Sequence, residues 1–146
     1  MQSFMDAALE EAKKAEARGE VPIGAVVVRD GEILARAGNR TLELKDPTAH
    51  AEMLAIRAAA TALSSERLVD CDLYVTLEPC PMCAAAASFA RIRRLYYGAA
   101  DPKGGAVESG VRYFANPTCH HVPEIYGGIG ETESAAMLRE FFRTRR

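Results

Sequence analysis

No stretch of this 146-residue chain approaches the ~18 consecutive apolar residues that a membrane helix requires, so the sequence offers no membrane span. It also lacks a strong charge of either sign: 18 Lys and Arg stand against 20 Asp and Glu, a formal net charge of −2. No global positive field therefore advertises a nucleic-acid partner, and any RNA contact has to be local. Repeats, low-complexity runs and long linkers are missing. So is a secreted disulfide framework: of Cys71, Cys80, Cys83 and Cys119, only Cys80 and Cys83 have a telling spacing, and it is that of a metal or redox pair. The opening M-Q-S-F-M-D-A-A-L-E-E-A-K-K reads as a charged helix rather than a signal peptide. These absences predict a cytoplasmic protein with no membrane partner.

What is present suits a single domain over residues 1–146. The composition, 49% apolar and 26% charged, is that of an ordinary globular chain. A chain of this length buries about two thirds of its unfolded surface and needs no staples. Phe4, Ala8, Leu9, Ala12 and Ala15 share one helical face, and Gly19 ends that helix. Ile23 to Arg29 and Glu32 to Ala37 are β-rich runs joined by Asp30-Gly31, a strong hairpin signal. A helix is expected from about Ala49 to Leu63, with Met53, Ile56, Ala60 and Leu63 as its buried stripe. Leu73 to Leu77 is a strand, Pro81 to about Ala90 an alanine-rich helix, and Leu95-Tyr96-Tyr97 a further strand. Residues 101–130 read as irregular, with one short strand at most, and Thr132 caps a last helix. This order predicts an α/β fold: a three-layer α-β-α sandwich with a mixed sheet of about five strands and helices on both faces.

Two short stretches carry the chemistry. In T-L-E-P-C-P-M-C, residues 76–83, Pro81 suits the first position of a helix, where its missing N–H costs nothing. Cys80 is then the cap and Cys83 lies one turn on, both over a helix N-terminus that favours thiolate. In P-T-A-H-A-E, residues 47–52, His50 and Glu52 stand two apart, a spacing that shares no face within a helix. At a helix start, however, side chains reach over the terminus. Either Asp46-Pro47 or Thr48 caps this helix; the sequence does not separate them, and His50 falls in the first turn in both cases. His50 then completes a His/Cys/Cys set for zinc, while Glu52 approaches without binding. Three protein ligands leave a fourth position for water, the mark of a catalytic zinc site. Zinc-activated hydroxide with Glu52 as proton shuttle is hydrolytic chemistry. A redox C-x-x-C is disfavoured by Pro79 and Pro81. A structural zinc would need a fourth ligand from Cys119, His120 or His121, with Cys71 more distant.

H-A-E at 50–52 with P-C-P-M-C at 79–83 resembles the zinc-dependent nucleobase deaminase superfamily, whose established signature this is. V-P-I-G-A-V-V-V (21–28), G-N-R (38–40), D-P-T-A-H-A-E (46–52), L-Y-V-T-L-E-P-C-P-M-C (73–83), D-P-K-G-G-A (101–106) and F-F-R-T-R-R (141–146) resemble its bacterial tRNA-specific adenosine deaminase branch. The resemblance spans essentially the whole chain. It implies a cytidine deaminase-like fold, one zinc per subunit, a homodimer, and hydrolysis of the wobble adenosine of a tRNA anticodon stem-loop to inosine.

The resemblance also implies binding residues. Asn39 would hydrogen-bond the purine; Val21 and Pro22 would wall the base pocket; Asp101 and Lys103 would meet the anticodon backbone. Read alone, these are a turn residue, a strand entry and a surface turn. The Ala51 N–H, expected as an unpaired donor in the first helical turn, would hold the base or the attacked oxygen. In R-E-F-F-R-T-R-R (139–146) four arginines stand beside aromatics, which suits RNA phosphates and bases but equally a helix dipole. The resemblance places Phe142 and Arg143 or Arg146 at the RNA. His121 also matches a family position, although the asparagine expected before it is His120 here. Two other readings compete: a deaminase of a free base such as guanine or cytosine, and a zinc-stabilised RNA-binding module without catalysis. The sequence assigns no role to Cys71, Cys119 or His120.

Overall fold

Asp30 and Gly31 both have positive φ, 51° and 77°, the combination that a two-residue type I′ hairpin turn demands. They join β1 (Gly24–Arg29) to β2 (Glu32–Gly38) in antiparallel register, with a bulge between Val27 and Val28. The computed structural model to which this hairpin belongs describes residues 3–145. Around it stand α1 (Phe4–Ala17), a short α2 (Thr41–Leu44), α3 (Ala51–Leu63), β3 (Asp72–Leu77), α4 (Pro81–Phe89), β4 (Arg94–Ala99), a 3-10 turn at Tyr113–Ala115, β5 (Glu124–Tyr126) and α5 (Glu131–Thr144).

The sheet order is β2-β1-β3-β4-β5. β1 is antiparallel to both neighbours, whereas β3, β4 and β5 run parallel. The unbroken V-V-V of β1 follows from cover on both faces, where alternation is not needed. Ala25 and Val27 face a core shared with alanines of α3 and α4; Val26 and Val28 face α1 and Met137 of α5. Tyr96 and Tyr97 of β4 divide between the same two cores. The result is the expected three-layer sandwich on a five-stranded mixed sheet. Among the described residues no helix is long and apolar enough to cross a membrane.

Close approach sets the outer layer. α1 starts with a reciprocal Ser3–Asp6 capping box and then lies almost on the backbone of β1. A Cβ on Gly24 would collide with the Ala8 carbonyl and sit 2.5 Å from the Ala12 nitrogen, so only glycine fits there.

Three local expectations need correction. The face of α3 that is fully buried is Ala51, Glu52, Ala55 and Ala59. Met53, Ile56, Ala60 and Leu63 are only part-buried, because the small residues let the helix approach the sheet and push larger ones to the flanks. Neither Asp46 nor Thr48 caps α3: His50 itself is the cap, with extended backbone, while the Asp46 carboxylate accepts from the Thr48 N–H and hydroxyl. Thr132 does not cap α5 either. That helix begins at Glu131 behind Gly130, whose φ of +72° makes the turn, and Thr132 is exposed in its first turn.

Candidate metal centre and substrate cavity

The starts of α3 and α4 meet at one point. His50 caps α3 and Cys80 caps α4, yet neither side chain makes a capping hydrogen bond. Both are turned toward each other instead, with Pro81 starting α4 and Cys83 one turn inside it. His50 Nδ1 lies 3.6 Å from Cys80 Sγ and 3.6 Å from Cys83 Sγ. Atoms held tetrahedrally at zinc–nitrogen and zinc–sulfur bond lengths are about 3.6 Å apart, so the set fits zinc. Among the described residues only these three form such a group, all within 4.8 Å of one another. Cys71, Cys119, His120 and His121 do not join it.

Proton sharing favours the thiolate at Cys80. Hydrogen bonding from the Cys83 side chain, then from His50, pulls the Cys80 thiol down to about 4 against the effect of burial. Donation to Cys80, reinforced by burial, pushes Cys83 up. The Cys80 hydrogen bond likewise raises His50. Glu52 is 4% exposed, and burial pushes its carboxyl up to about 7. A carboxyl at that value accepts and releases protons near neutrality, as an acid–base group should.

A cavity of about 1030 Å³ opens above His50. Its inner wall includes Val21, Ile23 and Asn39; Asp101, Lys103 and Gly104 close one side, and α5 supplies Ala135, Leu138, Arg139 and Phe142, followed by Arg145. Asn39 is buried, and its Oδ1 accepts from the Ala51 N–H at 2.9 Å. The Ala51 donor is therefore not unpaired as expected: Asn39 already holds it and thereby pins the start of α3. What Asn39 has left for the cavity is its amide NH2. Pro22 is also misplaced by the sequence reading. It is fully buried, and Ile23 takes its place on the wall, because the Ile23 N–H donates to the Val21 carbonyl at 2.8 Å, a tight turn about Pro22 ahead of β1.

The tail divides as its helical spacing dictates. Ala135, Leu138, Arg139 and Phe142 fall at i, i+3, i+4 and i+7, one stripe toward the cavity. Phe142 is 50% exposed while Phe141 packs inward, with the Arg145 guanidinium 4.4 Å from its ring centre. Arg143 sits off the stripe, paired with Glu140 at 2.7 Å, beside a smaller recess. Arg146 lies outside the described residues. Among the described residues of 139–145, the arginines at the cavity are Arg139 and Arg145, not the Arg143 that the resemblance singles out. His121 is not brought to the cavity of this chain. Its Nε2 lies 2.7 Å from the Ile92 carbonyl and its N–H donates to Ser88, because the segment after the 3-10 turn crosses behind α4.

Comparison with known proteins agrees with this geometry. Residues 1–99 match the model of the cytidine and deoxycytidylate deaminase zinc-binding region. The chain is 68% identical to the tRNA-specific adenosine deaminase of Agrobacterium fabrum over 143 residues, 98% of this chain and 94% of that protein. A solved structure from work on A-to-I editing by tRNA:A34 deaminases at the wobble position superposes with a TM-score of 0.91 at 68% identity, covering 92% of this chain and 98% of that one. The guanine deaminase of Bacillus subtilis is more distant, with a TM-score of 0.68 and 33% identity over 98% of this chain and 95% of that one.

Proposed function

Because the chain belongs to the cytidine and deoxycytidylate deaminase zinc-binding family, among its tRNA-specific adenosine deaminases, we propose that it hydrolyses the wobble adenosine of a tRNA anticodon loop to inosine. The observation that carries this reading is the His50/Cys80/Cys83 group beside buried Glu52, beneath a cavity edged by Lys103, Arg139, Phe142 and Arg145.

His50, Cys80 and Cys83 would hold one zinc ion, which when bound would make a water acidic enough to lose its proton near neutral pH. Oxygen bonds to carbon 6 of the adenine and ammonia leaves. Glu52 takes one proton from the water and gives it to the adjacent ring nitrogen; it then takes the second from the oxygen now bonded to carbon 6 and delivers it to the departing amine, leaving a carbonyl as the carbon–nitrogen bond breaks. Asn39 offers its amide NH2 to the purine, and Val21 with Ile23 excludes solvent from its edge. Asp101 and Lys103 meet the loop backbone. Phe142 stacks on an unpaired base, with Arg139 and Arg145 near phosphates. Anticodon bases are already partly unstacked, so the cost of drawing one into the cavity is lower than from a duplex.

A free-base deaminase is the competing reading, favoured only by the guanine deaminase similarity. A synthetic anticodon stem-loop, free guanine and free cytosine assayed in parallel decide between them. Inosine at one loop position is expected, with no ammonia from either base; turnover of a free base and none of the RNA would overturn the proposal.

The proposal also takes residues 1–146 as one deaminase domain acting in the cytoplasm as a homodimer with one zinc per subunit. Phe89, the last residue of α4, and Val111 and Val122 are each more than half exposed, apolar side chains that a second copy could cover. Sedimentation equilibrium should read twice the mass of one chain; a monomer at micromolar concentration would remove this part.

A further inference from the structure

Glu78 lies at the end of β3, two residues before Cys80, and is only 2% exposed. Its oxygens accept five hydrogen bonds, all from one segment. Oε1 takes the Asp101 N–H and the Ser109 hydroxyl, each at 2.9 Å; Oε2 takes the N–H groups of Val107, Glu108 and Ser109 at 3.0, 2.9 and 2.9 Å. A carboxylate buried this far persists only when its roughly four lone-pair sites are filled. Here they are filled by a stretch that has no helix or strand of its own. The wrap is close: a Cβ on Gly105 would lie 2.5 Å from Glu78 Cδ and 2.6 Å from the Asp101 carbonyl oxygen. The Ala106 N–H also donates to the Pro79 carbonyl at 2.8 Å, beside Cys80. The leading end of this segment is the cavity wall at Asp101, Lys103 and Gly104.

We infer that Glu78 is a positioning residue that presets the 101–109 segment for the substrate. It acts on binding through Asp101 and Lys103, and it ties their segment to the strand end that leads to Cys80. This rests on the reading of the cavity as an RNA-deaminating site. A wall already in place spares the RNA the cost of ordering it.

The test is Glu78→Gln. Whichever way the carboxamide turns, its NH2 meets backbone N–H donors, so the segment must loosen. Amide exchange should quicken across 101–109, and KM for the anticodon stem-loop should rise about 10- to 100-fold, with kcat and zinc content held. Gly105→Ala displaces the segment while keeping the carboxylate. It should give the same split between KM and kcat and decides the matter if the glutamine variant does not fold. The double variant should be no worse than either single one, because both act through one displacement. Unchanged exchange at 101–109, a loss confined to kcat or zinc, or KM effects that add would overturn the inference. If the unaltered protein forms no inosine in the stem-loop, the functional reading fails instead, while exchange at 101–109 still judges the clamp.

Discussion

Glu52→Gln is expected to lower kcat for inosine formation by about 10²- to 10⁴-fold, the usual worth of a positioned acid–base group, while zinc stays at one per chain. The substitution keeps the shape of the side chain and removes its proton traffic. It does not cost the fold a buried charge, since Glu52 is 4% exposed and already disfavours ionisation. The neutral amide is easier to bury than a carboxylate. The metal ligands are untouched, so lost turnover cannot be ascribed to lost metal. Single-turnover assays on the stem-loop, with zinc measured by elemental analysis on the same sample, check both halves. Full activity in this variant would leave a zinc-stabilised RNA-binding module as the better account of the chain.

Cys83→Ser should remove the metal and the activity together. Cys83 is completely buried and is one of the three side chains that would hold the metal. Serine offers zinc a harder, more weakly coordinating oxygen. Even residues one shell further out typically change metal affinity 10- to 100-fold when altered, and a direct ligand should exceed that. Stability falls as well: zinc present at about a thousandfold over its dissociation constant adds about 4 kcal/mol to the folded state. Chelation of the unaltered protein should lower its melting temperature toward that of Cys83→Ser, and chelation of the variant should change little. Turnover that survives complete removal of zinc would refute the metal-dependent chemistry.

The parts legible in the sequence were those encoded by neighbours along the chain. Asp30-Gly31 specifies its own turn, and the β-rich runs on either side announce the two strands it joins. Pro81 fixes where α4 begins and hence where Cys80 and Cys83 stand. The most telling misses come from a partner brought in by the fold. Asn39 arrives from the end of β2 to take the Ala51 N–H, which the first turn of an isolated helix would leave open. Apolar size suggested Met53 and Ile56 as the buried face of α3, but the nearness of the sheet selected Ala55 and Ala59. The resemblance put Pro22 on the wall beside Val21, whereas a tight turn about Pro22 buries it and leaves Val21 and Ile23 at the cavity. Glu78 showed nothing locally, since all five of its donors lie more than twenty residues away.

The origin of the cavity walls bears on how such a protein diverges. The groups that would break the carbon–nitrogen bond come from residues 50–83, whereas the far rim comes from residues 99–145. Drift in the rim can therefore alter which nucleotide chain is admitted without displacing a single ligand. Exchanging the last third of the polypeptide between relatives is a route to a new target that inherits the old reaction intact, provided that the newcomer still folds around Glu78.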